Sequence, residues 1–176
     1  MTAKRSRPCL DLGDVFTIPL DDERVGYGQI VDRWGKSGGH FYFAVFDGVH
    51  PADAEPDLDA VLAEPLALLG LSMDALLLHG HWRVVGHREV DTAAVPWPAY
   101  KEGVSPRVFD VVDYTGQRRR RATPEEAEAL PFRAVVAPIV IEDALKALHG
   151  LKNWNPAYDK LRPAVDGMTS ARLLSP

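Results

Sequence analysis

The sequence predicts an α+β domain: an antiparallel β-sheet, open or partly closed, with short helices, mostly late in the chain. Three observations lead there. Apolar residues in the first half alternate or cluster in short runs, as strands require. Clusters of turn formers separate those runs. The two helices with the clearest start and stop signals both fall after residue 120.

The elements follow in order. In Asp14-Val-Phe-Thr-Ile-Pro-Leu20, Phe16, Ile18 and Leu20 share one face by period-two alternation. Pro19 cannot donate to a ladder, which marks a strand end or an edge. Asp21-Asp-Glu-Arg24 forms a charged turn, and Gly26-Tyr-Gly-Gln-Ile-Val31 returns as the hairpin partner. Gly26-Tyr-Gly28 lacks the third glycine and the helix of a phosphate-cradling loop, so it marks a bulge or a close backbone approach. Residues 34–39 read as a loop. Residues 41–46 are apolar on both faces and rich in aromatics, which predicts a central, buried strand. Residues 57–64 predict a short helix capped by Asp57, with Leu58, Val61 and Leu62 inward and Pro65 as its end.

Residues 75–78 and 82–85 read as two strands joined through Gly80. Val95-Pro-Trp-Pro98 is an extended connector. Residues 108–113, the turn 114–117 and the run Arg118-Arg-Arg-Arg121 predict another hairpin. Thr123-Pro-Glu-Glu126 is a capping box, and Pro131 ends that helix early. The second late helix covers 139–149, with Ile141, Leu145 and Leu148 on one stripe and Gly150 as its stop. The expected organisation is a flexible N-terminus over 1–12, one α+β domain over 13–150, and an extension over 151–176 carrying Trp154 and Tyr158.

Composition narrows the function classes. The chain has 176 residues, 46% hydrophobic and 26% charged, enough for a core that needs no disulfide or metal. No apolar run approaches the ~20 residues of a bilayer span. A net charge of -5 argues against a general nucleic-acid binder. The basic start Met1 to Arg7 is not followed by an apolar stretch of signal-peptide type, so the expected compartment is the cytoplasm.

Searching for chemistry yields no complete constellation. His79, His81 and His87 are the obvious metal or base candidates, but no carboxylate or cysteine stands at motif spacing, so they read as surface histidines. Cys9 has no activating context. Ser37-Gly-Gly39 is not a nucleophile elbow. Arg118, Arg119, Arg120 and Arg121 could contact nucleic acid, yet alternation splits them between two faces of a strand; a charge-guarded edge is the simpler reading. Phe16, Tyr27, Phe41, Phe43, Phe46, Trp82 and Phe109 fall in predicted strands and read as core. Catalytic, cofactor and metal residues are therefore none. One bias remains. No Lys or Arg occurs between Lys36 and Arg83, while Asp47, Asp53, Glu55, Asp57, Asp59, Glu64 and Asp74 all do.

Gly13-Asp-Val-Phe-Thr-Ile-Pro-Leu20, followed by Gly26-Tyr-Gly-Gln-Ile30, resembles the opening of the immunity protein 26 family of bacterial polymorphic toxin systems. Residues 41–46 look like its aromatic central strand, Trp82-Arg-Val-Val-Gly86 like its Trp-x-x-Ile-Gly segment, and Pro96-Trp-Pro98 like the proline-rich piece that follows. Val140-Ile-Glu-Asp-Ala-Leu145 is similar to its Val-Glu-Asp-Arg-Leu element, with Ala144 where arginine is usual. The resemblance implies a non-enzymatic protein that binds and neutralises a cognate secreted toxin, with no cofactor and no membrane partner. A toxin that acts on nucleic acid would carry a basic cleft. The acidic segment then becomes the expected toxin-binding surface, through Asp53, Glu55, Asp57, Asp59 and Glu64. The alternative is a small nucleic-acid-binding or regulatory module of barrel type, using Arg118 to Arg121 as its contact edge.

Overall fold

A computed structural model of the chain describes residues 9–35, 38–105, 108–165 and 167–175. Most of the N-terminus expected to be flexible falls on residues 1–8, outside the described residues, as do Lys36 and Ser37 of the 34–39 loop. The strands are β1 (Asp14–Pro19), β2 (Arg24–Arg33), β3 (His40–Phe46), β4 (His50–Pro51), β5 (Leu66–Met73), β6 (Arg83–His87), β7 (Tyr100–Ser105), β8 (Val108–Val112), β9 (Arg119–Arg121) and β10 (Val135–Val136). The α-helices are α1 (Leu58–Leu62), α2 (Ala75–Leu78), α3 (Pro124–Ala129), α4 (Pro138–Leu148) and α5 (Ser170–Leu173), with a 3-10 helix at Pro156–Leu161. Strands in two open sheets, with short helices between and after them, make an α+β fold. The chain divides into two compact units, one of Met1–Val90 with Val136–Leu161, the other of Asp91–Val135 with Arg162–Pro176.

The first unit is built on a sheet ordered β10-β5-β3-β2-β1-β6, with β4 on β2. The β1–β2 hairpin forms as the alternation predicts, and Asp21 Oδ1 closes its turn by accepting from the Glu23 and Arg24 amides at 3.0 and 2.8 Å. Phe16 lies opposite Gly28, where a Cβ would sit 2.6 Å from the ring, so the glycine lets the ring lie flat on β2. Pro19 ends β1 and leaves no gap in the ladder. β3 lies between β2 and β5, the central place its two-sided apolarity predicts. Phe43 is fully buried, edge-on to Phe16 at 5.3 Å and to Trp82 at 5.9 Å. Against this face packs α4, whose Ile141 and Leu145 are fully buried, with Leu148 half-buried beside them. Leu161 of the 3-10 helix completes the same core.

One predicted strand is corrected. Residues 75–78 form helix α2, and the strand is the preceding segment, β5, which pairs with β3 from Met73 back to Leu66. At Met73 the sheet has ended. The Leu78 amide then bonds the Asp74 carbonyl, and one helical turn reverses the chain while placing Leu77 in the core. Gly80, at φ +74°, allows the return into β6.

The second unit carries the sheet β7-β8-β9. β8, the turn and β9 form the predicted hairpin. Asp113 Oδ1 accepts from the Gln117 and Arg118 amides at 2.9 and 3.2 Å and holds the turn. Thr123 and Glu126 form the expected reciprocal cap on α3. The small core joins Ala99, Val111, Leu130 and Leu174.

Candidate functional site

Six of the seven acidic residues, Asp47 to Glu64, lie on the excursion between β3 and β5, whereas Asp74 is buried at the opposite end of β5. After β3 the Asp47 amide bonds the Pro65 carbonyl, closing the excursion 47–65 into a loop with a fixed base. β4 pairs with the start of β2, and the Ala52 amide bonds the Glu23 carbonyl. Asp57 caps α1 through Oδ1, accepting from the Asp59 and Ala60 amides at 3.1 and 3.2 Å, so Leu58 and Val61 turn inward while Leu62 is half-buried.

The five candidate residues receive different roles. Asp53 and Glu55 are exposed on the loop. Asp57 is exposed while capping the helix. Asp59 is exposed and accepts from Arg88 Nε at 2.6 Å, and the guanidinium holds its carboxyl below the usual range. Glu64 is drawn inward instead, with Oε1 2.9 Å from His50 Nε2 and its carboxylate against Gly48. Burial, helped by the Glu64 charge, raises the hydroxyl pKa of nearby Tyr27.

Sequence spacing gave no reason to join Asp22 and Glu23 to this group. The structure does so, in a cleft of about 620 Å3 whose walls include Asp22, Glu23, Arg24, His50 and Asp53. Arg24 is already engaged there by Asp21 at 2.6 Å. The concavity thus offers three exposed carboxylates, a surface suited to a cationic group and without a nucleophile–base pair.

The histidines are placed by carboxylates distant in sequence. His81 Nε2 lies 2.8 Å from Glu142 Oε2, and His87 Nδ1 lies 3.2 Å from Asp14 Oδ1. His79 ends α2. Among the described residues no group of three or more His, Cys, Asp or Glu side chains is arranged to hold a metal ion. Glu142 itself is buried and also accepts from Trp82 Nε1 at 3.0 Å and Lys146 Nζ at 2.7 Å. Burial pushes its carboxyl up. Hydrogen bonds from Lys146, Trp82 and His81, with the Lys146 charge, outweigh that and leave it below the usual range. Sequence reading passed over this knot, although Trp82 and Glu142 both sit in motif segments. Ala144, where arginine was expected, is fully buried in the core.

Arg118 to Arg121 are each met by a carboxylate: Asp113, Glu102, Glu126 and Asp110 respectively. Arg120 holds the Glu126 carboxyl down to about 2. Among the described residues no helix is long and apolar enough to cross a membrane.

Comparison with known proteins places residues 11–110 under a family model described as immunity protein 26. No curated protein and no solved structure gives a significant match.

Proposed function

The chain belongs to the immunity protein 26 family, and from that premise we propose that it is a non-enzymatic inhibitor that binds one cognate secreted toxin in the cytoplasm and blocks it. The observation that carries the reading is the family match, which spans more than half the chain and includes the acidic segment. The binding surface is that segment, through Asp53, Glu55, Asp57 and Asp59, with Glu64 bracing it from within. Its partner is a toxin with a basic cleft, such as a nuclease. Carboxylates on a loop and a capped helix steer such a partner at long range and fix its register on contact. The paired arginines of β9 leave little uncompensated positive charge for the nucleic-acid alternative.

The combined variant Asp53→Asn, Glu55→Gln, Asp57→Asn, Asp59→Asn tests this surface. Asparagine caps a helix about as well as aspartate, and solvent screens the exposed Asp59–Arg88 pair, so folding survives. Association with the cognate toxin slows about tenfold at roughly 20–50 mM ionic strength, and the defect shrinks as salt is added. Equal association rates at low salt would move the interface elsewhere.

A further inference from the structure

We propose that β6 is an open docking edge, to which an extended segment of the toxin adds as one more strand. This rests on the toxin-binding reading above and goes further by naming the backbone that makes the contact.

The sheet of the first unit ends in β10 and β6. β10 has two residues, too short to template a partner. β6 has five, and among the described residues no strand lies beyond it. Its Val84 and Val85 are 45% and 39% exposed, while the His87 carbonyl at its end already accepts from Arg88 Nη1 at 3.0 Å. Soluble proteins guard such an edge with short strands, charged side chains, proline or a β-bulge. β9 in the same chain shows the guarded form, three arginines each held by a carboxylate. β6 has neither lysine nor proline, and its one fixed charge is the exposed Arg83 at its start, which leaves Val84 and Val85 as the open stretch. The one irregularity is a register shift against β1 that leaves Val85 unopposed while Val84 and Gly86 stay paired.

The neighbouring helix identifies the occupant. Leu58 of α1 packs on Gly86, where a Cβ would lie 2.5 Å from Leu58 Cδ1. Asp59 of α1 takes Arg88, just beyond the strand, and neutralises it. The carboxylates of α1 therefore flank β6, and the acidic surface and the open edge are continuous. A strand alternating apolar with basic side chains fits both: its backbone bonds β6, its apolar groups cover Val84 and Val85, and a cation meets Asp57, the exposed α1 cap that Arg88 does not bond. A second copy of this chain fits poorly, because it would bring a second acidic α1 toward the first. Two five-residue strands would also bury far less than the ~1,200 Å2 of a stable interface.

The test uses the cognate toxin domain, with hydrogen–deuterium exchange and binding measured on the same complex. Complex formation should slow exchange of the 83–87 amides. The double variant Val84→Lys, Val85→Lys should weaken binding about tenfold or more, while Val84→Thr, Val85→Thr stays within about threefold. If the lysine variant does not fold, amide exchange in the parent complex decides alone. Toxin binding with unprotected 83–87 amides, or unchanged by the lysines, overturns the docking edge and leaves the function standing. A parent chain that does not bind the toxin overturns both. A parent dimer that the lysines convert to monomer gives the edge to a second copy and overturns the proposal as well.

Discussion

Glu142→Gln probes the buried junction between the sheet and α4. The native carboxylate accepts from Trp82, His81 and Lys146 at 2.7–3.0 Å, from a site almost closed to water. Hydrogen bonds to a charged group contribute about 1.5–3 kcal/mol each, but burying the carboxylate costs several, so the three do not add. Breaking a buried pair by deleting one partner costs about 3–5 kcal/mol. Glutamine keeps the shape and one acceptor oxygen for Trp82 but leaves Lys146 without its counter-charge, so the loss should be about 2–3 kcal/mol. At about 2–4 °C per kcal/mol for a chain of this size, the melting temperature falls by about 4–12 °C. The pH dependence adds a second signature. Because the folded-state carboxyl lies below its usual value, its contribution is present above the unfolded value near about 4.3 and fades as pH falls through the folded one. The gap between parent and variant should therefore be full at pH 7 and narrow below about pH 4. Urea unfolding followed by tryptophan fluorescence at stepped pH measures both. Curves that agree within about 0.5 kcal/mol at pH 7 would refute the reasoning and mean that water, not Lys146, solvates this carboxylate.

Two further predictions concern the core and the absence of catalysis. Phe43→Ala empties the centre of the aromatic cluster around Phe16 and Trp82 and should cost about 3–5 kcal/mol in urea unfolding; an unchanged midpoint would contradict the central position of β3. The triple variant Cys9→Ala, His79→Ala, His81→Ala should still protect cells against the toxin. Its stability should drop modestly through the lost His81–Glu142 contact, and loss of protection in a folded variant would show that these side chains do chemistry.

Local signals carried most of the fold that could be read in advance. Alternation at Phe16, Ile18 and Leu20, the Asp57 cap and the Thr123–Glu126 box depend on neighbours a few residues away, and each is present in the structure. The apolar stretch from Leu66 to Leu78 was harder, because a two-sided buried strand and a buried helical turn have the same composition and too few residues to show a period. β7 was missed because Tyr-Lys-Glu-Gly-Val-Ser has no alternation, and its place depends on pairing with β8. Leu161 gave no signal, because its stretch has little periodicity and only the packed core, shared with Trp154 and Tyr158, identifies it. The same division holds at the candidate surface. Its charge bias was plain in composition, whereas the inward turn of Glu64 and the arrival of Asp22 and Glu23 at the cleft depend on long-range contacts.

The central claim is stoichiometric inhibition by binding, and a titration tests it most directly. The cognate toxin domain is mixed with rising amounts of the protein, and toxin activity and intact mass are followed together. Activity should fall to zero at one equivalent, with the toxin's mass unchanged and its activity restored once denaturant separates the two. Full toxin activity in the presence of excess protein, or lasting inactivation by a small fraction of an equivalent with a change in toxin mass, would contradict the account.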